Sequence, residues 1–431
     1  MESAAIYLQQ QSNKEIARAT RAMPGLTAMM ALAWASSSSP SSAKFRFGGG
    51  GGRKATSVMP PRVEESSSSS SARILSRGRV RAATAATAAC DEQQPQTVEL
   101  LQRLGEDGWV EEHMLSLLTP VAEAWQPADL LPTFAASAEE QRTQVAELQA
   151  GAAGVPDDLL VCLVGNIVTE EGLPTYMTMA NRVRGIDDAT GRDAHGWARW
   201  LRGWTAEENR HGDALNRYLY LCGRVDMRQV ERTVHHLLRS GMRTLEPSCP
   251  CHGFIYVAFQ ERATFLSHAR TARRAALHGD ACLAKLNGAV AADERRHEAA
   301  YTRAVARCFE ADPDAAVRAL AAVMRAKVTM PGELMTDGRD QNLFDHFAAV
   351  AQRVGVYTAA DYGDMVEHFV RRWRVAELGG LSGEGRRAQD YLCGLPRKIR
   401  RMEQLAHDRA AQKEAQSVSF SWVFDRPIRL H

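Results

Sequence analysis

Two short stretches hold residue types that can do chemistry together. They are Glu207-Glu208-Asn209-Arg210-His211 and Asp293-Glu294-Arg295-Arg296-His297, and each contains Glu-x-x-His. On a helix that spacing places the carboxylate and the imidazole on one face. Steps of three and four through the first stretch give Trp197, Leu201, Trp204, Glu208, His211, Leu215 and Tyr218. The second gives Val290, Glu294, His297, Tyr301, Ala304 and Cys308. Both pairs therefore lie inside apolar seams. An uncompensated buried carboxylate costs several kcal/mol or takes up a proton, and metal cations would supply the missing charge.

The helices that must position these pairs bring two more seam carboxylates. Pro156-Asp157-Asp158 starts a helix with the stripe Leu160, Leu163, Ile167, Glu170, Pro174 and Met177, which Gly172 and Pro174 should disturb just past Glu170. A long helix over Phe254–His278 carries Phe254, Ala258, Glu261, Phe265 and His268 on one stripe. The chain order is thus Glu, Glu-x-x-His, Glu, Glu-x-x-His. That is the ligand pattern of ferritin-like di-iron and di-manganese bundles. Four carboxylates balance two divalent cations, with the imidazoles neutral as ligands. Oxygen-rich ligation suits iron or manganese better than structural zinc. The rival reading, buried ion pairs to Arg210, Arg262 or Arg296, accounts for single residues but not for the repetition.

The rest of the chain is patterned as helix, so the expected class is all-α. Helical periodicity runs through Thr97–Leu117, Ser137–Ala150, Asp226–Ser240, Phe344–Val354, Tyr362–Leu378 and Ala388–Ala415, and from Pro313 through Met324. Phe420–Phe424 reads as a short strand or an extended tail.

Residues 1–90 differ in kind. They contain serine and glycine runs at 66–71 and 48–52, with 12 bases against 4 acids. This is transit-peptide composition, and residues 91–431 are expected to form one helical domain. The whole chain has 53 basic and 51 acidic residues, so residues 91–431 carry 41 and 47, an acidic balance that gives no support to a nucleic-acid partner. The apolar piece Met23–Ala35 is too short to span a bilayer, and no transmembrane segment is seen. The eight cysteines form no C-x-x-C pair and read as thiols in a reducing compartment.

From about Trp125 to Leu430 the chain resembles the plant acyl-acyl-carrier-protein (acyl-ACP) desaturases of the stearoyl-ACP 9-desaturase type. The stretches WQPADLLP, VTEEGLPTY, WTAEENRHGD, LCGRVDMRQVE, GFIYVAFQERATF, AADERRHEAAYT, DGRDQNLFDHF, VAQRVGVYTAADY and FSWVFDRP carry the resemblance. It implies a ferritin-like bundle with flanking helices, a homodimer in the plastid stroma, and two iron ions held by Glu170, Glu208, His211, Glu261, Glu294 and His297. It implies that Thr264 sits on the oxygen side of the irons, that Asp293 orients His211, and that Trp125 with Asp293 forms an electron route. The implied reaction is O2-dependent insertion of a cis double bond, at delta-9 of stearoyl-ACP, with electrons from ferredoxin. Met179, Ala180 and Val183 would line the acyl tunnel.

The sequence departs from the family in Met179-Ala180-Asn181-Arg182-Val183. Ala180 replaces a larger side chain and Arg182 a small polar one, so a different chain length or bond position is the alternative if either faces the tunnel. A ferroxidase uses similar ligands but usually a chain about half as long. His235-His236 reads as helix surface, His268 as a satisfied core histidine, the tryptophans 197, 200 and 204 as core or dimer contacts, and Arg397–Arg401 as a solvated face.

Overall fold

Local capping chemistry marks where many of the helices begin and end. The computed structural model describes residues 94–133, 137–242, 250–410 and 415–431; the expected leader, Cys90 and Cys249 lie outside the described residues. The elements are α1 (Gln94–Glu106), α2 (Trp109–His113), α3 (Pro127–Leu130), α4 (Ala138–Ala153), α5 (Asp157–Glu170), α6 (Leu173–Ala180), α7 (Gly196–Cys222) and α8 (Met227–Ser240). They continue with α9 (Pro250–Leu277), α10 (Ala281–Ala311), α11 (Pro313–Ala326), α12 (Leu343–Val354), α13 (Ala359–Arg372), α14 (Gly383–Ala410) and a hairpin of β1 (Ser417–Phe420) and β2 (Arg426–Arg429). The class is all-α, a ferritin-like bundle with flanking helices.

Ser137 and Thr358 open α4 and α13 with reciprocal capping boxes to Glu140 and Asp361. Asp226, Asp280 and Asp312 cap α8, α10 and α11 through their side chains. Gly223 ends α7 at φ 65°, a left-handed geometry that costs glycine no Cβ strain. Asp280 also accepts a hydrogen bond from Tyr218, tying the start of α10 to α7.

Helices α5, α7, α9 and α10 form the central bundle. In α5 every residue from Leu159 to Glu170 is buried, so this helix is core on all sides rather than amphipathic. The apolar interior divides into two lobes. One contains Trp197, Trp200, Trp204, Phe254, Phe259 and Tyr301; the other contains Leu160, Ile167, Leu215, Tyr218, Leu286 and Trp422. Along α7, Glu208 and His211 fall between Trp204 of one lobe and Leu215 of the other. Along α10, Glu294 and His297 fall between Leu286 and Tyr301. The ionisable band is therefore sandwiched between apolar lobes, where each fully buried large side chain contributes about 1.5–3 kcal/mol.

Three elements differ from the sequence expectation. The helix expected over Thr97–Leu117 breaks at Gly108, whose φ of 86° separates α1 from α2. The helix expected through Leu378 stops at Arg372, and Arg374 turns left-handed at φ 51°. The C-terminal tail folds back as a hairpin and docks on α8: Trp422 Nε1 donates to Thr233 Oγ1 at 2.9 Å, and the Asp226 amide donates to the Trp422 carbonyl at 2.8 Å. The disturbance expected after Glu170 is present, since α5 ends there and α6 restarts at Leu173.

Helix α12 approaches α5 at Gly165, where an added Cβ would lie 2.1 Å from Phe347 Cε2. Alanine is favoured over glycine inside a helix by about 1 kcal/mol, but overpacking costs about 1–3 kcal/mol, and Phe347 is itself buried. Gly165→Ala should lower the thermal unfolding midpoint measured by circular dichroism, and adding Phe347→Leu should recover part of the loss.

Candidate metal centre

The four bundle helices bring the six expected ligands together in two overlapping groups. Glu170, Glu208, His211 and Glu294 form one, and Glu208, Glu261, Glu294 and His297 the other, with the chosen ligand atoms of each group within 4.8 Å of one another. Glu208 and Glu294 belong to both groups. All six are buried, His211 and His297 completely. The imidazole centroids lie 6.1 Å apart.

The hydrogen bonds tell which atoms are committed. His211 Nε2 meets Asp293 Oδ2 at 3.2 Å and His297 Nε2 meets Glu207 Oε2 at 2.9 Å. The inward Nδ1 atoms of both rings, with Glu208 Oε1 and Glu294 Oε1, have no aligned hydrogen-bond partner. His211 Nδ1 nevertheless lies 3.2 Å from Glu294 Oε1, and His297 Nδ1 2.8 Å from Glu208 Oε1. Donor atoms that converge this closely without aligned hydrogen bonds are what a cation-binding set looks like, so these residues fit a pair of metal ions. Acceptors on the outer nitrogens fix the tautomer that frees each Nδ1.

The charge states follow from the same crowding. Burial raises the Glu170 carboxyl, and burial with the Glu208 and Glu294 charges raises that of Glu261 well above the usual range. Burial alone would depress both histidines, but Asp293, Glu208 and Glu294 push His211 well above its ordinary value, and Glu207, Glu208 and Glu261 do the same to His297. Burial would raise Asp293 too, yet hydrogen bonding and charge from His211, with Arg296, hold it down at about 2. Without metal, the centre compensates its carboxylates with protons.

The other expected residues fall around this core. Thr264 Oγ1 donates to Glu294 Oε2 at 2.7 Å. Trp125 Nε1 donates to Asp293 Oδ2 at 3.0 Å, and its ring stacks on His211 with centroids 6.2 Å apart. Arg210 forms a buried ion pair with Asp293 and Arg296 a partly buried one with Glu207, neither with the seam carboxylates, and Arg262 pairs with Glu298. His268 is a satisfied core histidine, between Asn287 and Glu170 at 2.9 and 3.0 Å.

Sequence reasoning missed two groups. Trp204 Nε1 donates to Glu261 Oε1 at 3.0 Å, so this core tryptophan also orients a carboxylate. Glu207 partners His297, and the signal for it was present: both stretches place an acid directly before the seam glutamate.

A cavity of about 120 Å³ opens onto the cluster. Its walls include Met179, Ala180, Val183, Ile186 and Phe254, and Glu170, Glu208, Glu261, Glu294 and Thr264 border it. Arg182 is exposed and does not line it, so the concern that this cation enters the tunnel is set aside, while Ala180 does line it.

A profile for the fatty acid desaturase family matches residues 96–424. The chain belongs to that family. It is 64% identical over 372 residues to acyl-[acyl-carrier-protein] desaturase 4, chloroplastic, of Oryza sativa subsp. japonica, covering 82% of this chain and 88% of the relative. It is 55% identical over 336 residues to stearoyl-[acyl-carrier-protein] 9-desaturase, chloroplastic, of Ricinus communis, covering 78% and 83%. Arabidopsis thaliana stearoyl-[acyl-carrier-protein] 9-desaturase 4, chloroplastic, is 56% identical over 329 residues, covering 75% and 81%. As in the sequence expectation, no single helix among the described residues of this desaturase-family chain is long and apolar enough to cross a membrane.

Metal ligation must displace the protons held by His211 and His297. Loading divalent metal into metal-free protein at pH 7 should acidify a weakly buffered solution, and metal affinity should fall as pH is lowered. Calorimetric titration in buffers of different ionisation enthalpy reads both effects.

Proposed function

We propose that this protein is a plastid acyl-ACP desaturase that introduces a cis double bond into a saturated acyl chain. The observation that carries the reading is the placement of unpartnered ligand atoms, the His211 and His297 Nδ1 atoms with Glu208 and Glu294 Oε1, beside an apolar cavity. The names of the relatives supply the substrate class and the compartment, and the Ser- and Arg-rich residues 1–90 are in keeping with a transit peptide ahead of a catalytic domain over 91–431.

In this reading the ligands of two iron ions are Glu170, Glu208, His211, Glu261, Glu294 and His297. The irons would supply, with O2, two external electrons and two protons, the oxidising power to remove two hydrogens from adjacent methylenes, O2 leaving as two waters. The chain's own residues do the rest. Met179, Ala180 and Val183 hold the acyl chain against the centre, and the apolar walls exclude water. Thr264 donates to Oε2 of Glu294 on the cavity side and leaves Oε1 free. Asp293 holds the His211 tautomer, and Trp125 connects that carboxylate to a half-exposed position where electrons from ferredoxin can enter. A homodimer completes the reading by resemblance alone.

The apolar cavity beside the centre also weighs against a ferroxidase, which needs no site for a hydrocarbon. Ala180 leaves the acyl length and bond position as the open variable, delta-9 of stearoyl being the first expectation.

The test is a product assay on the iron-loaded chain lacking residues 1–90, with reduced ferredoxin, O2 and either sixteen- or eighteen-carbon acyl-ACP, the double bond being located by mass spectrometry. An oleoyl product is expected. Two bound irons with no unsaturated product would refute the reaction and leave the centre. Ala180→Leu, which adds bulk to the cavity wall, should shift kcat/KM toward the shorter chain by about 10-fold or more.

A further inference from the structure

The two stretches that open the sequence agree at more positions than Glu-x-x-His requires. Each reads acid, Glu, any residue, Arg, His: Glu207-Glu208-Asn209-Arg210-His211 and Asp293-Glu294-Arg295-Arg296-His297. In the fold the extra positions are used crosswise. The acid of the second stretch meets the histidine of the first, Asp293 to His211, and the acid of the first meets the histidine of the second, Glu207 to His297. The arginines close the figure. Arg296 Nη2 lies 3.1 Å from Glu207 Oε2 and 2.7 Å from Asp293 Oδ1. Arg210 Nη2 lies 3.0 Å from Asp293 Oδ2 and 3.7 Å from Glu207 Oε1. Glu207, Asp293 and Arg210 are all buried, so each charge depends on the others for compensation.

From this crossed geometry we infer that Glu207 is the positioning residue for the half of the metal centre built on His297, the counterpart of Asp293 on His211. Its two oxygens are fully engaged: Oε2 takes His297 and Arg296, and Oε1 accepts the Thr119 amide at 2.9 Å. That fixes the carboxylate and therefore the ring, leaving Nδ1 aimed at Glu208 and Glu261. The same clasp pins the segment between α2 and α3. Arg296 Nε donates to the Leu117 carbonyl at 2.9 Å and Arg210 Nη1 to the Trp125 carbonyl at 3.0 Å. The two orienting acids differ in a further partner: a tryptophan donates to Asp293, whereas a backbone amide donates to Glu207. The inference rests on the metal-centre part of the proposed function and is independent of the reaction.

The experiment is an anaerobic titration of the metal-free full chain with Co2+, read by its visible ligand-field bands, for wild type, Glu207→Gln and Asp293→Asn. Wild type should take two ions. Glu207→Gln should take one ion as wild type does and the other about 10–100-fold more weakly, with altered bands for the weakened site and an unfolding midpoint of the metal-free form close to wild type. Asp293→Asn should weaken the other site. Two ions bound by Glu207→Gln as tightly as by wild type would overturn the inference. So would equal weakening of both ions together with a lowered unfolding midpoint, which makes the residue structural only. Should Glu207→Gln not fold, Glu207→Asp keeps the charge but withdraws it by one methylene: selective weakening of one ion supports the inference and unchanged affinity overturns it. A wild-type chain that takes up no Co2+ would overturn the metal centre and the inference together, whereas two ions without a desaturated product would overturn the reaction alone.

Discussion

Six ionisable side chains meet in the buried interior of the bundle, and their mutual repulsion is the constraint to which the neighbouring structure answers. Glu170, Glu208, Glu261 and Glu294 approach one another with two imidazoles between them. In a low-dielectric interior such a group cannot remain ionised without cations or protons. Apolar lobes on both sides keep water from relieving the charge, and the rest of the central architecture delivers partners instead: Asp293 and Glu207 to the outer ring nitrogens, Trp204 and Thr264 to carboxylate oxygens, His268 to Glu170.

The centre consequently has two unlike faces. Its outer face is ionic and hydrogen-bonded to the backbone segment that bears Trp125. Its inner face meets a largely apolar cavity, which Thr264 borders beside Glu294. Charge can be handled on one side while a hydrocarbon is held on the other, without either environment intruding on its neighbour. Trp125 reaches only the Asp293 half, so the two halves, alike in sequence pattern, are unequal in what they contact.

The buried cluster of glutamates and histidines was legible because helical periodicity maps it directly: a glutamate inside a run of buried apolar positions is conspicuous, and four such residues in alternating order more so. Glu207 was not legible by that rule. It stands one residue from the seam, about 100° around the helix, where acids ordinarily face solvent, and only the tertiary approach of α10 and of Thr119 buries it. Helix ends escaped for a related reason. Gly108 and Arg374 interrupt patterns whose apolar spacing continues past them, and spacing cannot register a reversal of φ. The terminal hairpin is held by Trp422 on Thr233, a pairing across 189 positions that no local pattern encodes.

The crossed arrangement of acids and histidines bears on the order in which the molecule is assembled. His211 and Asp293 are separated by 82 positions, and Glu207 and His297 by 90, so neither ring acquires its orienting acid until α7 and α10 have found each other. Closing loops of that length carries an entropic cost that is offset only once the apolar lobes have formed. A nascent or truncated chain that ends before α10 has half of each pair and the whole of neither. Selection of the cation is thereby deferred to the finished fold, and a partly made chain offers no oriented site to whichever ion happens to be most abundant.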